Sequence, residues 1–215
     1  MSDLKNIYIY GAGGFGKEVH QLIEHINASK REWNLLGYID DSISQGTVIN
    51  NIDVVGGREI LLSNRTEISV VFAIASTNSI ANLIAVMSKS NIFFPNLIHP
   101  SVHFDMDYNK IGIGNIITSS CLFTRNISIG NFNIFNTRTG IGHDVIVGDI
   151  NIFQPNVQIS GNVVIGDRNY FGVNSLVLAN KTIGNDNNLG ASSMLIKNIK
   201  NKGDYFGIPA MRKKF

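Results

Sequence analysis

The sequence predicts a chain in two parts, an α/β domain of βαβ units over residues 1–100 and an all-β parallel solenoid over residues 101–215. Three observations predict them. Short apolar runs alternate with longer amphipathic ones as far as Pro100. The helical period then disappears, and Asn and Gly crowd the chain. Ile-Gly or Val-Gly doublets recur every 18 residues from Ile111-Gly112 to Ile183-Gly184.

Patterning places the elements of the first part. Asn6 to Tyr10 reads as a strand, and Phe15 to about Lys30 has the spacing of an amphipathic helix. Leu35 to Ile39 reads as a second strand, Arg58 to Leu62 as a short helix, Ser69 to Ala75 as a third strand and Ser79 to Ser88 as another helix. Strands alternating with helices argue for a parallel sheet.

Dividing the 18-residue period by three exposes a hexad. Its fifteen frame positions, every sixth residue from Ile111 through Ile117, Phe123 and Ile129 to Leu195, are all apolar. In a chain that is 44% hydrophobic, one chosen frame does this by chance with a probability on the order of 10⁻⁵. The physical reading is three short, equal strands per turn, each hexad sending one apolar side chain inward and turning a corner with Gly, Asn or Asp. Crowded Gly and Asn suit a backbone that turns repeatedly through left-handed angles. Three equal sides make a triangular prism whose coils stack about 4.8 Å apart, with residues 18 apart directly above one another. Spacing alone leaves the hand of the coil open. Open coil edges need covering, a task expected of Lys197 to Lys200 and the tail through Phe215 at one end, and of the first domain at the other.

Composition removes several classes of function. Eighteen Lys+Arg against 16 Asp+Glu leave a net charge of +2, with no basic run to track a phosphate backbone, so nucleic acid is not expected as a partner. The one cysteine, Cys121, excludes an intramolecular disulfide. No apolar stretch approaches the roughly 20 residues of a spanning helix, so no membrane insertion is expected. Met1 to Lys5 runs into a strand without a signal-peptide pattern, and a cytoplasmic location follows as the default. No metal site is expected, because His99 and His103 lack convincing partner ligands.

Two constellations carry chemistry. Gly11, Gly13 and Gly16, with Gly14 beside them, form G-x-G-x-x-G between a strand and a helix, where backbone N–H groups can approach a pyrophosphate. Asp40 and Asp41 end the second strand, where a carboxylate accepts from a ribose hydroxyl. A nicotinamide dinucleotide is one reading. A mononucleotide or nucleotide-sugar fits better, because about 100 residues is half of a full doubly wound fold. A glycine turn that only permits close packing, and aspartates that only make a turn, stay open.

The second is Thr139 to Val145. Frame residue Ile141 points inward, which puts His143 at or near a corner, and it is the one histidine within the repeats. Imidazole has a pKa near working pH and suits a base that takes the proton from an attacking amine or hydroxyl. Asp144 follows it, and only a corner lets the two side chains meet, since strand neighbours face opposite ways. Gly161 lies 18 residues on, one coil along at the same corner, with no side chain to block its N–H from a carbonyl oxygen. A solvated corner histidine and a glycine needed only for the corner angle are the alternatives.

The hexads, together with Gly207-Ile208-Pro209-Ala210, resemble the hexapeptide-repeat acyltransferases. Tyr10 to Glu18 and Tyr38-Ile39-Asp40-Asp41 narrow the resemblance to the sialic acid O-acetyltransferase and bacillosamine-pathway N-acetyltransferase group, over essentially the whole chain. The resemblance implies a Rossmann-like first domain, a left-handed parallel β-helix, a homotrimer with active sites between subunits, and acetyl transfer from acetyl-CoA to a sugar or a nucleotide-linked amino sugar. It implies that His143 is the base, that Asp144 assists it, and that Gly161 contacts the acetyl carbonyl. Some members carry a second histidine nine residues after the first, where this chain has Ile152. Gly172, Gly190 and Ala191 are small residues where a pantetheine arm could run, or else tight corners. Lys197, Lys200 and Lys202 suit CoA phosphates or plain solvated surface.

The expected function is therefore an acetyl-CoA-dependent N-acetyltransferase acting on a nucleotide-linked amino sugar by direct transfer. Cys121 points inward beside Phe123 and is a poor nucleophile. An O-acetyltransferase acting on a sugar such as sialic acid is the nearest alternative, followed by an NAD(P)-dependent oxidoreductase and a non-catalytic scaffold.

Overall fold

The computed structural model describes residues 4–63, 67–87 and 91–213. Its contacts cluster into two compact units, Met1–Leu97 and Ile98–Phe215.

The first unit runs β1 (Lys5–Tyr10), α1 (Gly14–Ser29), β2 (Trp33–Ile39), β3 (Val48–Ile49), β4 (Ile52–Gly56), α2 (Glu59–Ser63), β5 (Ile68–Phe72), α3 (Thr77–Met87) and β6 (Ile92–Phe93). The sheet order is β3-β4-β2-β1-β5-β6, parallel except for the β3–β4 hairpin. Ile7 and Ile9 of β1 and all of β5 are buried, as a strand flanked by two neighbours and packed on both faces must be. α1 turns Val19, Leu22, Ile23 and Ile26 to the sheet. That spacing of three and four is the stripe read from the sequence, and each such side chain contributes roughly 1.5–3 kcal/mol by leaving water.

Boundaries shift by one to three residues, and the expected helix end at Ser88 lies outside the described residues. β5 stops at Phe72, three residues short of Ala75. The hairpin was not expected: its turn is Asn50-Asn51, both at positive φ (48° and 64°), and strands of two and five residues leave too little alternation to read.

The second unit is a left-handed parallel β-helix. Two sides are five-stranded sheets of two-residue strands, one from Lys110–Ile111 to Thr182–Ile183 and the other from Leu122–Phe123 to Met194–Leu195. The third carries Ile116–Ile117 through Asn187–Leu189 with further strands at its ends. Residues 18 apart pair throughout, as Ile129 does with Ile111 and Val147. All frame residues but Ile111 are buried, and Ile111 packs against the same core. Phe135, Phe153 and Phe171 stack with ring centroids 4.7 Å apart, the spacing of the coils themselves.

Two expectations need correction. Hexads other than that of Ile183, where Lys181 is only partly buried, send two side chains inward rather than one, because the residue two before the frame position faces the same way: Cys121, Ile127, Val145, Val157 and Val163 are buried. On one edge this second position is a buried ladder of Asn115, Asn133, Asn151, Asn169 and Asn187. Asn133 is typical: its N–H and Nδ2 both donate to Asn115 Oδ1 (2.9 and 3.1 Å), and Nδ2 also donates to Gly148 O (2.9 Å). Stacking thus satisfies polar groups that would be costly to bury alone, except at the end of the ladder, where Asn187 Oδ1 has no partner among the described residues.

Nor do the doublet glycines make the corners. The left-handed residue falls three after every frame position but Leu195, and besides Asn and Asp it includes Phe132, Arg138, Ile150 and Arg168 at φ of 54–61°. Most corners are imposed from the coil before them, as when Ile150 N–H donates to Asn131 O (2.8 Å) and Arg168 N–H to Asp149 O (2.9 Å). The doublet glycines are needed for clearance instead, since a Cβ at Gly130 would lie 2.7 Å from Gly148 O of the next coil.

At one end Gly203–Phe206 pairs with Asn187–Leu189 and with Met211–Lys213, forming a hairpin that covers the open ladder. The last two residues of the expected cap, Lys214 and Phe215, lie outside the described residues.

Candidate active site

His143 and Asp144 occupy a corner of the β-helix, and the corner angle brings them together. With Asp144 at φ 58°, its side chain swings back beside its neighbour, and His143 Nδ1 lies 2.8 Å from Asp144 Oδ2. A hydrogen bond from His143, then one from Asn126, holds the Asp144 carboxyl below its ordinary range. An ionised carboxylate only accepts, so Nδ1 carries a proton, and in the neutral ring it is Nε2 that holds the lone pair. The histidine side chain is 59% exposed.

Gly161 lies one coil along, under the ring. A Cβ there would lie 2.6 Å from both Nε2 and Cε1 of His143, so the glycine makes room for the imidazole. Its N–H donates to no atom of the described residues. A lone pair and a spare backbone donor therefore share one exposed corner. Sequence reasoning missed Asn126, whose Nδ2 donates to Asp144 Oδ1 at 3.1 Å; the available signal was its place 18 residues before Asp144.

Other expected positions fall elsewhere. Gly172, Gly190 and Ala191 lie at the corner following the third sheet, whereas His143 follows a strand of a different sheet, so within one chain they do not meet it. A Cβ at Gly172 would lie 2.5 Å from Ala191 N, and one at Gly190 would strike the Phe206 ring, so both glycines serve the stacking. Ile152 is fully buried and brings no polar group to the site. Cys121 is buried, and desolvation pushes its thiol up to about 11. Lys197, Lys200 and Lys202 are exposed.

The first unit has its own cleft, a cavity of about 330 Å³ lined by residues that include Tyr10, Gly11, Asp40, Asp41, Arg58 and Asn82. Gly11 (φ 107°) and Gly16 are packing glycines: a Cβ on Gly11 would lie 2.6 Å from Ala73 O, and one on Gly16 would strike Gly11 O. Gly13 and Gly14 have nothing within 4 Å, so the middle of the motif leaves the N-terminus of α1 open. Asp40 accepts from Ala12 N–H (2.9 Å) and Ser42 Oγ (2.7 Å). Burial acts to raise its pKa, but these bonds outweigh it and hold the carboxyl low. Asp41 accepts from Tyr10 OH at 2.6 Å and from the Arg58 guanidinium, which with the Tyr10 bond brings its carboxyl down to about 2. Burial and that same bond push the Tyr10 hydroxyl up, so it stays a donor. The aspartates thus fasten the glycine turn and Arg58 around the cleft. Arg58 and Asn82 are lining residues that sequence reasoning missed.

A larger, open polar hollow of about 560 Å³ includes Lys17, Glu18, Glu24, Asn50 and Asn51 in its lining and holds none of the predicted site residues. Among the described residues, no group of three or more His, Cys, Asp or Glu is placed to hold a metal, and no helix is long and apolar enough to cross a membrane.

Residues 6–85 match the family model of the PglD N-terminal domain. A search of curated protein sequences finds no match. Solved structures similar over the full length include a variant of perosamine N-acetyltransferase from Caulobacter crescentus in complex with CoA and GDP-perosamine (22% identity, 99% of this chain and 99% of that one, TM-score 0.88). Others are the acetyltransferase domain of PglB from Neisseria gonorrhoeae in complex with acetyl coenzyme A (22%, 98% and 100%, 0.87) and WeeI from Acinetobacter baumannii (24%, 97% and 100%, 0.82). Residues 6–85 are thus similar to the PglD N-terminal domain, and the whole chain shares its two-part fold with the perosamine N-acetyltransferase and PglB structures.

Proposed function

We propose that the chain is an acetyl-CoA-dependent N-acetyltransferase acting on a nucleotide-linked amino sugar. The observation that carries this reading is the corner where Asp144 orients His143 and the imidazole stands over Gly161. CoA and GDP-perosamine in a protein of the same fold support the substrate classes.

In this reading the sugar amine attacks the thioester carbon while His143 Nε2 takes its proton, a role worth about 10²–10⁴-fold in rate. The Gly161 N–H donates to the oxyanion that forms, and one such donor is worth about 10²–10³-fold. The carbon–sulfur bond then breaks, and the imidazolium returns its proton to the departing sulfur, leaving the N-acetyl sugar and free CoA thiol. The cleft of the first unit takes the nucleotide, with Gly13 and Gly14 open to phosphate and Asp40, Asp41 and Arg58 around it. The resemblance further supports a homotrimer in which Gly172, Gly190 and Ala191 of a second copy border the CoA arm.

An acceptor screen tests the reading: acetyl-CoA with a panel of UDP-, GDP- and dTDP-linked amino sugars, scored by thiol release. At least one acceptor is expected to respond, and His143→Ala to lose at least about 10²-fold with folding intact. A flat panel with activity on free sialic acid would replace N- by O-acetylation, and an unaffected His143→Ala would remove the site.

A further inference from the structure

The proposed chemistry leaves one polar contact at the His143 corner without a role. Asn126 stands one coil before Asp144 at the same corner, both in the left-handed conformation at φ 58°. Its Nδ2 donates to Asp144 Oδ1 at 3.1 Å, while Oδ2 accepts from His143 Nδ1 at 2.8 Å. A carboxylate bonded through one oxygen swings easily about its last torsion, which has broad minima. Bonded through both, its plane is set, and with it the plane of the imidazole.

Packing does not supply that restraint. Asn126 is exposed, and Asp144 and His143 keep 45% and 59% of their side-chain surfaces in water. Arg125, one coil before His143, is directed elsewhere, with its guanidinium 3.7 Å from the Tyr108 ring centroid and 4.0 Å from Asp105. Among the described residues, the titratable group that bears on Asp144 is His143. Repetition accounts for the fit: corners 18 residues apart superpose, so an amide and a carboxylate at successive corners meet side to side without any rotamer search across the fold.

We infer that Asn126 is a positioning residue, whose amide fixes the Asp144 carboxylate and through it the Nδ1–H tautomer of His143, with Nε2 turned toward Gly161. This rests on His143 as the base. An amide suits the position, because a carboxylate there could not donate and would repel Asp144.

The test combines Asn126→Gly with Asp144→Ala. Glycine adopts positive φ without strain, so the substitution removes the amide and leaves the corner intact; Asn126→Asp, of nearly equal size and also tolerant of this conformation, is the second variant. Ring ¹⁵N spectra of histidine-labelled protein, with His143 identified by its loss in His143→Ala, report the tautomer without any substrate. The expected result is a clean Nδ1–H form in the wild type and a mixture of tautomers in either Asn126 variant. Acetyl transfer should fall about three- to tenfold in kcat with KM for acetyl-CoA unchanged. In the Asp144→Ala background Asn126→Gly should change neither readout, since its effect runs through the carboxylate. An unchanged spectrum in the Asn126 variants, or equal losses in both backgrounds, overturns the inference. A wild type that transfers no acetyl group overturns the proposed function instead, and the spectra still decide the role of Asn126.

Discussion

Exposure at the His143 ring makes its position a matter of contacts rather than of packing. Gly161→Ala tests this most directly, because the new methyl would stand 2.6 Å from Nε2. Gly161 has no positive φ to protect, and the ring can swing into water, so stability should stay within about ±0.5 kcal/mol. Turnover should fall about 10²-fold, since the base leaves its place, and paired melting and rate measurements check both. Asp41 gives a prediction in pH. Its carboxyl falls from the ordinary 3.8 to about 2 in the folded chain, so the unfolded chain binds its proton first on acidification. The pair with Arg58 and Tyr10 therefore stabilises the fold above about pH 4, and that contribution is lost as pH falls toward 2. Asp41→Asn should flatten this part of the acid transition followed by circular dichroism, and salt should weaken the effect in the wild type, because both partners are partly exposed.

At the scale of elements, glycines that look alike in sequence do different work. Gly148 faces the next coil, and a Cβ there would lie 2.8 Å from both the carbonyl carbon and oxygen of Gly166. Gly148→Ala should destabilise by about 1–3 kcal/mol in chemical denaturation, because stacked backbones on both sides leave no flexible atom to yield. Gly14, at the first turn of α1, has nothing within 4 Å. Gly14→Ala should leave stability within about ±0.5 kcal/mol and still weaken nucleotide-sugar binding measured by calorimetry, if phosphate must approach the backbone there.

In the proposed function the two units bring separate ligand chemistries to one chain, and thermal shift separates the competing readings of the whole molecule. GDP, UDP or dTDP compounds and CoA should each raise the melting temperature, a ligand at 100 times its Kd adding about 2.7 kcal/mol. NAD(P) should add nothing. Stabilisation by NAD(P) without a response to CoA would point to an oxidoreductase. The proposed homotrimer predicts a solution mass three times the 23.6 kDa of the chain, which light scattering measures directly.

Much of the molecule is legible in its residues alone. An apolar residue at every sixth position has one cheap physical solution, a three-sided stack in which identical positions superpose. That stack by itself places Gly161 beside His143, and the same arithmetic reaches Asn126 from Asp144. Local patterning likewise places β1, α1 and β2 around the glycine turn. Tertiary structure alone decides the rest. Phe132 and Ile150 take left-handed angles against their own preference because hydrogen bonds from the preceding coil impose them. Tyr10, Asp41 and Arg58 meet because β1, β2 and the start of α2 converge at one end of a sheet. A repeat carries its own contacts in its period, whereas a contact between distant, unrepeated segments exists only once the chain has folded.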